Sequence, residues 1–446
     1  MRPGEHAIIL GAGFSGLCAA RVLAARGLRV TLVERDLLTL EPGPRAGTPQ
    51  ARHAHGLLAR GCEVLERLFP ELVPSLARLG VHRVDWGRDF AVYDRGWLPR
   101  EEVGVSSLAC SRDRLEHAMR ESLLERGEVR LEAGTRARGL LFDANGGVAG
   151  VDSQRGPLPA HWVLDAMGRS SPLLRWLAPR GVAEPLTTRV VSGRAYATRH
   201  YRGLAKDWSA LLGVTSPPDV TRGVIVYPTE SDWDYVTLVG TATDAPPRDP
   251  GGFEAFARSL PPLWEALERA DPFSPVWCHR DTETRYRHVE VHEAWPERLL
   301  VVGDALCALN PVHAQGMSVA TLCAEALDDV LAAGSEGVTR RYHRAAYGAL
   351  ADALTLAVAE DLRWCTPPQS AHPTVPRRLA KRVRSHLDAI DQRDVAARSA
   401  YLRLWHLLDP LPAHLRARPV SSVHEAQGQE AQGADSAARV IGDDAQ

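Results

Sequence analysis

Gly11-Ala12-Gly13-Phe14-Ser15-Gly16, followed by Glu34, are the residues whose types and spacing point most directly to chemistry. Gly11 permits a tight turn, Gly13 lets the main chain approach a pyrophosphate, and Gly16 lets a helix pack on the preceding strand. A helix start offers free N–H groups and a partial positive charge to phosphates. Glu34 lies eighteen residues past Gly16, where a carboxylate accepts from a ribose hydroxyl. It would repel a ribose 2′-phosphate, which argues against NADP at this first site. A glycine-rich turn with a surface Glu uses the same residues. The register of strand, glycines, helix, strand and acid favours the dinucleotide reading.

Three further segments carry polar groups at strand ends. In Val301-Val302-Gly303-Asp304-Ala305, Asp304 follows a buried strand, and Gln315-Gly316-Met317-Ser318 opens a long helix. An Asp there accepts from a polyol, or merely caps the next segment. Leu164-Asp165-Ala166-Met167-Gly168-Arg169-Ser170-Ser171 pairs an acid with a glycine and hydroxyls. Ser111-Arg112-Asp113-Arg114-Leu115-Glu116 puts Arg112 at a helix start, within reach of a phosphate or ribose. His53 and His55 are two apart; on a helix they face different ways, and no third ligand is evident, so no metal site is expected.

The elements that must position these groups read as follows. His6 to Leu10 and Leu28 to Val33 are buried strands around an Ala- and Leu-rich helix. Residues 36–52 read as a loop, and a helical stretch runs from about Ala54 to Leu68. Trp86 to Arg100 reads as extended, Arg112 to Arg126 as a helix, and Val129 to Phe142 as strands, with a hairpin turn at Asn145-Gly146-Gly147. Between about Val190 and Arg285, strand-like pieces separated by Pro-rich loops suggest an inserted sheet. A strand returns at Arg298 to Val302, and from Gly316 the chain is mostly helical to Leu408. His279-Arg280-Asp281 and His288 to His292 read as a half-exposed strand. The polar stretch from Ser421 to Gln446 reads as disordered.

The 446 residues suffice for two or three structural units, and a net charge of −2 gives no bulk electrostatic case for nucleic acid. Seven cysteines without a C-x-x-C pair are expected to be buried free thiols in a reducing cytosol. The strand beginning by His6 leaves no room for a signal peptide, and no apolar run approaches a membrane span. The expectation is a soluble, cytoplasmic protein. Trp86, Trp97, Trp208, Trp233, Trp264 and Trp277 are expected mostly in the core of the sheet region, with two or three lining an apolar pocket.

GAGFSG with Glu34, SRDRLE, DAMGRSS and GDALCALNPVHAQGMSVA, in this order, resemble the FAD-dependent monooxygenases of the aromatic hydroxylase superfamily over roughly residues 5 to 410. Arg45-Ala46-Gly47-Thr48-Pro49-Gln50-Ala51-Arg52-His53-Ala54-His55 resembles a bacterial subgroup that includes polyether-pathway flavin epoxidases and is similar in outline to squalene epoxidase. The resemblance implies an α/β fold: a FAD-binding Rossmann-like three-layer domain (1–85, 101–185 and 286–365), an inserted β-sheet substrate domain (86–100 and 186–285), C-terminal helices (366–420) and the tail (421–446). It implies that Gly11, Gly13, Phe14, Ser15, Gly16, Glu34, Arg35 and Arg112 hold the adenosine and pyrophosphate half of FAD. Asp304 would hold the ribityl chain and pyrophosphate, and Gly316 and Met317 would place N–H groups near the flavin pyrimidine. Asp165 and Gly168 are mostly fold-maintaining in the family.

The implied chemistry is transfer of one oxygen atom from O2, through a flavin C4a-hydroperoxide, to a hydrophobic small molecule by alkene epoxidation or ring hydroxylation in specialised metabolism. Electrons would come from NADPH or NADH, directly or through a partner flavin reductase. The flavin does the chemistry, so no side-chain catalyst is required; Arg45, Gln50, His53 and His313 are the candidates near it. Two departures stand out: Met167 replaces a Thr or Gly, and His313-Ala314 replaces an aromatic residue and Gly. A flavin halogenase would need an active-site Lys and a W-x-W-x-I-P segment. Lys206 and Lys381 are the only lysines, and that segment is absent. A flavin dehydrogenase or reductase without oxygen insertion, and a FAD-retaining scaffold, are further alternatives.

Overall fold

The computed structural model describes residues 1–280, 282–365 and 375–416. The tail at 421–446, and Asp281, lie outside the described residues. Five parallel strands form the central sheet in the order Leu299–Val301, Trp162–Asp165, His6–Leu10, Arg29–Val33, Val129–Glu132. Ile8, Ile9, Val163, Leu164, Leu299 and Leu300 are fully buried. Such continuous apolar runs belong to a parallel sheet covered on both faces. Helix Phe14–Ala25 packs against Gly316–Ala332, which in turn packs against Val338–Asp361. The antiparallel strand Val148–Ser153 contacts Trp162–Asp165. The architecture is a mixed α/β fold built on this parallel sheet.

A second, mostly antiparallel sheet has seven strands. Its path is Asp271–Pro272, Arg194–Arg202, Trp233–Thr241, Gly223–Pro228, Ala210–Gly213, Phe90–Tyr93, with Trp277–His279 also pairing Arg194–Arg202. Val236, Leu238, Val226 and Leu211 form its apolar face, with Phe253 and Leu263 packed on it. The latter two come from helices Pro250–Arg258 and Pro261–Leu267, which the reading of this region as sheet and loops missed. The signal was present: Asp249 caps the first helix by accepting from Gly252 N–H, and Pro250 follows at its first turn.

Several boundaries differ from expectation. The helix expected from Ala54 begins at Ala59, where the His406 ring accepts the first N–H at 3.1 Å. His53 and His55 therefore precede the helix, after a 3-10 turn at Pro49–Arg52 inside the expected loop. Only Phe90–Tyr93 of the stretch 86–100 is a strand. His288 to His292 is not a strand: Glu283–Arg287 ends before it, and a 3-10 turn at Val289–Val291 buries His288 between Thr188 and Glu290. The Asn145-Gly146-Gly147 turn forms, with Asp143 Oδ1 accepting from Asn145 and Gly147 N–H at 2.9 Å. Trp97 is 50% exposed rather than core. Trp86 and Trp277 line the main cavity, Trp208 and Trp264 pack on the second sheet, and Trp233 stacks on His200. All seven cysteines are free, but Cys278 and Cys365 are only half-buried. No helix among the described residues is long and apolar enough to cross a membrane.

Candidate functional site

The strand His6–Leu10 ends in a loop whose glycines are required for different reasons. Gly11 has φ +103°, and a Cβ there would sit 2.6 Å from the Ala166 carbonyl oxygen. A Cβ on Gly16 would meet the Gly11 carbonyl oxygen at 2.1 Å, so Gly16 sets how closely the helix packs. Gly13 differs: a Cβ there would touch only the Arg45 guanidinium at 3.5 Å and Glu116 at 3.8 Å, ordinary contacts. Nothing in the protein itself demands glycine at 13, while the cavity in front of it does if a phosphate must reach the main chain. Gly13, at the N-cap of the helix that starts at Phe14, supplies no capping side chain.

Around this loop stands a cluster of charges that sequence reasoning saw only in pieces. Glu34 Oε2 accepts the Ala12 N–H at 2.9 Å and bonds Arg45 at 3.1 Å. Arg45 also pairs with Asp36 at 3.2 Å and Glu116 at 3.0 Å. Its hydrogen bonds go to Glu34, Asp36, Glu116 and the Ala12 carbonyl, which makes it a hub for three carboxylates beside the loop. Glu116, missed as a site residue, is buried, accepts the Phe14 N–H at 3.1 Å, and pairs with Arg112 at 2.8 Å. Burial pushes the Glu116 carboxyl up, but Arg112 and Arg45 outweigh it and hold it below the usual range. The i, i+4 spacing of Arg112 and Glu116 was the available signal. Arg112 also reaches the His55 ring at 3.4 Å, and exposed Arg35 lies 3.8 Å from Asp36.

The second element meets the first directly. Gly303 has φ +59°, and a Cβ on it would lie 2.1 Å from Ser15 Oγ. That close approach sets Asp304, in the turn Gly303–Ala305, beside the loop. The Asp304 carboxylate lines the cavity and makes no hydrogen bond or ion pair among the described residues. Helix Gly316–Ala332 starts next to it, a Cβ on Gly316 lying 3.8 Å from Asp304 Oδ1. Asp165, fully buried, instead holds its own turn: it accepts from Met167 N–H at 2.9 Å and Ser171 Oγ at 2.5 Å. Burial pushes its carboxyl up to about 6.

The remaining candidates sit where the second sheet and the C-terminal helices meet the cavity. His53 is buried on the sheet, its Nδ1 2.8 Å from Thr198 Oγ1 and its ring edge-on to Tyr196. Burial, with His55, His279, His200 and Arg52 nearby, lowers it to about 3. Gln50 and Met167 line the cavity. His313 Nε2 lies 2.9 Å from Asp361 Oδ1, and its ring is edge-on to Trp405. Asp361, which the sequence did not single out, is fully buried and also accepts from Asn310 Nδ2 and Thr284 Oγ1, each at 2.6 Å.

Ala314, next to His313, adopts φ +56° in the left-handed region. A side chain there costs about 1–2 kcal/mol. Ala314→Gly is expected to stabilise the fold by about 0.5–1 kcal/mol after the larger chain entropy of glycine is subtracted. A lower unfolding midpoint in that variant would contradict the assignment of strain here.

All of the candidate residues except Gly16 line one continuous cavity of about 1520 Å³. Pockets for a single small ligand span about 300–1,000 Å³, so this one has room for a dinucleotide and a second molecule. It runs from Gly11, Gly13 and Glu34, past Asp304 and Met317, to the apolar Leu212, Val224 and Val239 of the second sheet. Neither lysine lines it: Lys206 Nζ is held 2.5 Å from Asp234, and Lys381 is exposed on the helix Arg377–Asp388.

Comparison with known proteins agrees with this geometry. The FAD binding domain family matches residues 5–358, and the chain belongs to that family. It is 31% identical over 344 residues to Protein Rv3254 of Mycobacterium tuberculosis (strain ATCC 25618 / H37Rv), covering 72% of this chain and 71% of that protein. Among solved structures it resembles the flavin-dependent brominase Bmp2 (TM-score 0.62, 15% identity, 90% of this chain and 93% of that one). It also resembles pqsL, a probable FAD-dependent monooxygenase from Pseudomonas aeruginosa (TM-score 0.59, 18% identity, 81% and 96%). A third similar structure is 2-methyl-3-hydroxypyridine-5-carboxylic acid oxygenase (TM-score 0.58, 19% identity, 89% and 96%). At these identities the likeness establishes the fold, which oxygenases and a halogenase share.

Proposed function

We propose that the protein is a FAD-dependent monooxygenase that inserts one oxygen atom from O2 into a hydrophobic small molecule, by alkene epoxidation or ring hydroxylation. The observation that carries this reading is the single cavity joining the dinucleotide loop to an apolar sheet wall, with the unpartnered Asp304 between them. Reduced FAD, when bound, would supply the electrons that activate O2 for transfer of one of its oxygen atoms. The chain's own residues do the rest. Backbone N–H groups at Gly13 and Ser15 bind phosphate at the helix start, the Phe14 N–H between them being taken by Glu116. Glu34 accepts from a ribose hydroxyl, and Arg112 neutralises phosphate charge. Asp304 accepts from the ribityl chain, for which its free carboxylate is suited. The N-terminus of helix Gly316–Ala332, with no acid in its first turn, favours negative charge on the ring beside it. The wall of Leu212, Val224 and Val239 excludes water and orients an apolar substrate.

Asp304→Ala is expected to weaken FAD binding about tenfold, as loss of a charge-assisted hydrogen bond of ~1.5 kcal/mol would. Flavin fluorescence titration measures this, and unchanged affinity would remove Asp304 from the site. The reading as a whole is tested by loading the protein with FAD and adding NADPH or NADH without oxygen. Bleaching of the visible flavin band indicates direct hydride acceptance. Bleaching by dithionite alone indicates dependence on a flavin reductase. Readmitting labelled O2 with a turned-over substrate must then place the label in the product. Product formed without label would instead support a dehydrogenase, and failure to retain FAD would sink both.

A further inference from the structure

Arg194 opens the sheet strand Arg194–Arg202 and lines the cavity while only 6% exposed. Its Nη2 donates to Thr215 Oγ1 at 2.8 Å, and its guanidinium lies 4.5 Å from the centre of the Trp364 ring. Its Nε is buried without a hydrogen-bond partner, and among the described residues no carboxylate lies within ion-pair distance of it. Four other cavity arginines are paired, whereas Arg398, which donates to the Pro99 carbonyl, is likewise without an ion pair among the described residues. Arg45 and Arg112 share Glu116, and Arg363 and Arg384 share Glu360. The acid closest in influence, Asp361, is already committed to His313, Asn310 and Thr284. Burial lowers Arg194 only to about 10, so it stays charged at neutral pH. A buried cation without a counter-ion is costly to the fold, and an anion arriving with a ligand removes that cost. The guanidinium fork suits a carboxylate through two parallel N–H···O bonds. Leu212 and Val224, on strands adjoining Thr215, continue the wall as apolar surface.

We propose that Arg194 anchors a carboxylate on the substrate, so that the substrate is a hydrophobic molecule bearing one carboxylate, seated against Thr215. This deepens the monooxygenase reading and rests on the cavity being the substrate site. The test uses FAD-loaded protein titrated by calorimetry with 2-naphthoate and with its neutral counterpart 2-naphthamide. The carboxylate is expected to bind the wild type at least about tenfold more tightly than the amide. Arg194→Met should bring that ratio close to one while leaving amide binding and FAD retention intact, and Arg194→Lys should restore part of the preference. Equal affinities in the wild type, no carboxylate binding at millimolar concentration, or a preference that survives in Arg194→Met would each overturn the proposal. Should the Met variant lose its fold, the wild type decides alone: added chloride must weaken naphthoate binding and leave naphthamide binding unchanged, and parallel behaviour of the two overturns the assignment. Protein that retains FAD and consumes O2 but lacks the carboxylate preference would fail only this inference. Protein that retains no FAD would fail the reading beneath it.

Discussion

Gly13→Val yields a folded but colourless protein. Gly13 is extended (φ −84°, ψ −179°), a conformation open to any residue, and its added Cβ meets only ordinary contacts at 3.5 Å and 3.8 Å. The fold therefore tolerates a side chain. The cavity does not, because the branched carbons occupy the approach to the N–H groups at the helix start. Losing two charge-assisted hydrogen bonds of ~1.5 kcal/mol each corresponds to about a hundredfold loss of FAD affinity or more. The readout is flavin retained after desalting, beside the unfolding midpoint of the apoprotein. Valine at Gly11 or Gly16 should behave differently and damage the fold itself, since those Cβ atoms would lie 2.6 Å and 2.1 Å from main-chain oxygens. A fully yellow Gly13→Val protein would show that the loop does not receive the phosphates.

Stability falls steeply on mild acidification. His53, His343 and His406 are buried and held at about 3, and His55 at about 4, in each case first through burial. For His55 the Arg112 guanidinium adds to the effect. These rings stay neutral in the folded chain and take up protons near pH 6.5 once unfolded. Their contribution is complete above about 6.5 and is lost as the pH falls toward 3–4. Asp165 and Asp113 act in the opposite sense. Burial raises both to about 6, so they take up protons in the folded state first. Four protons against two leave a net uptake of about two on unfolding between pH 6 and pH 5, or about 3 kcal/mol per pH unit. Thermal unfolding at pH 7 and pH 5.5 measures it directly, and a midpoint that holds or rises at the lower pH would refute the balance.

Particular elements show how far the residues alone could be read. The parallel strands and the helix Arg112–Glu125 were legible because burial periodicity is local and strong there. The helices Pro250–Arg258 and Pro261–Leu267 were hidden among proline-rich connections, where apolar runs resemble short strands. The Ala54 start failed by five residues because the N–H of Ala59 is capped by His406, far along the chain.

Glycine spacing by itself determined that a tight turn into a closely packed helix follows the first strand, since φ at Gly11 and the contact of Gly16 with Gly11 are fixed within a few residues. Acids at strand ends located Glu34 and Asp304, and the start of a long helix located Gly316. Only the tertiary structure decided what surrounds them. Arg45 gathers Glu34, Asp36 and Glu116, and Asp361 holds His313, because charges desolvated together must pair across the chain. Arg194 is left without an ion pair among the described residues for the same reason in reverse: which charges find partners depends on packing between segments, and residue spacing carries no record of it.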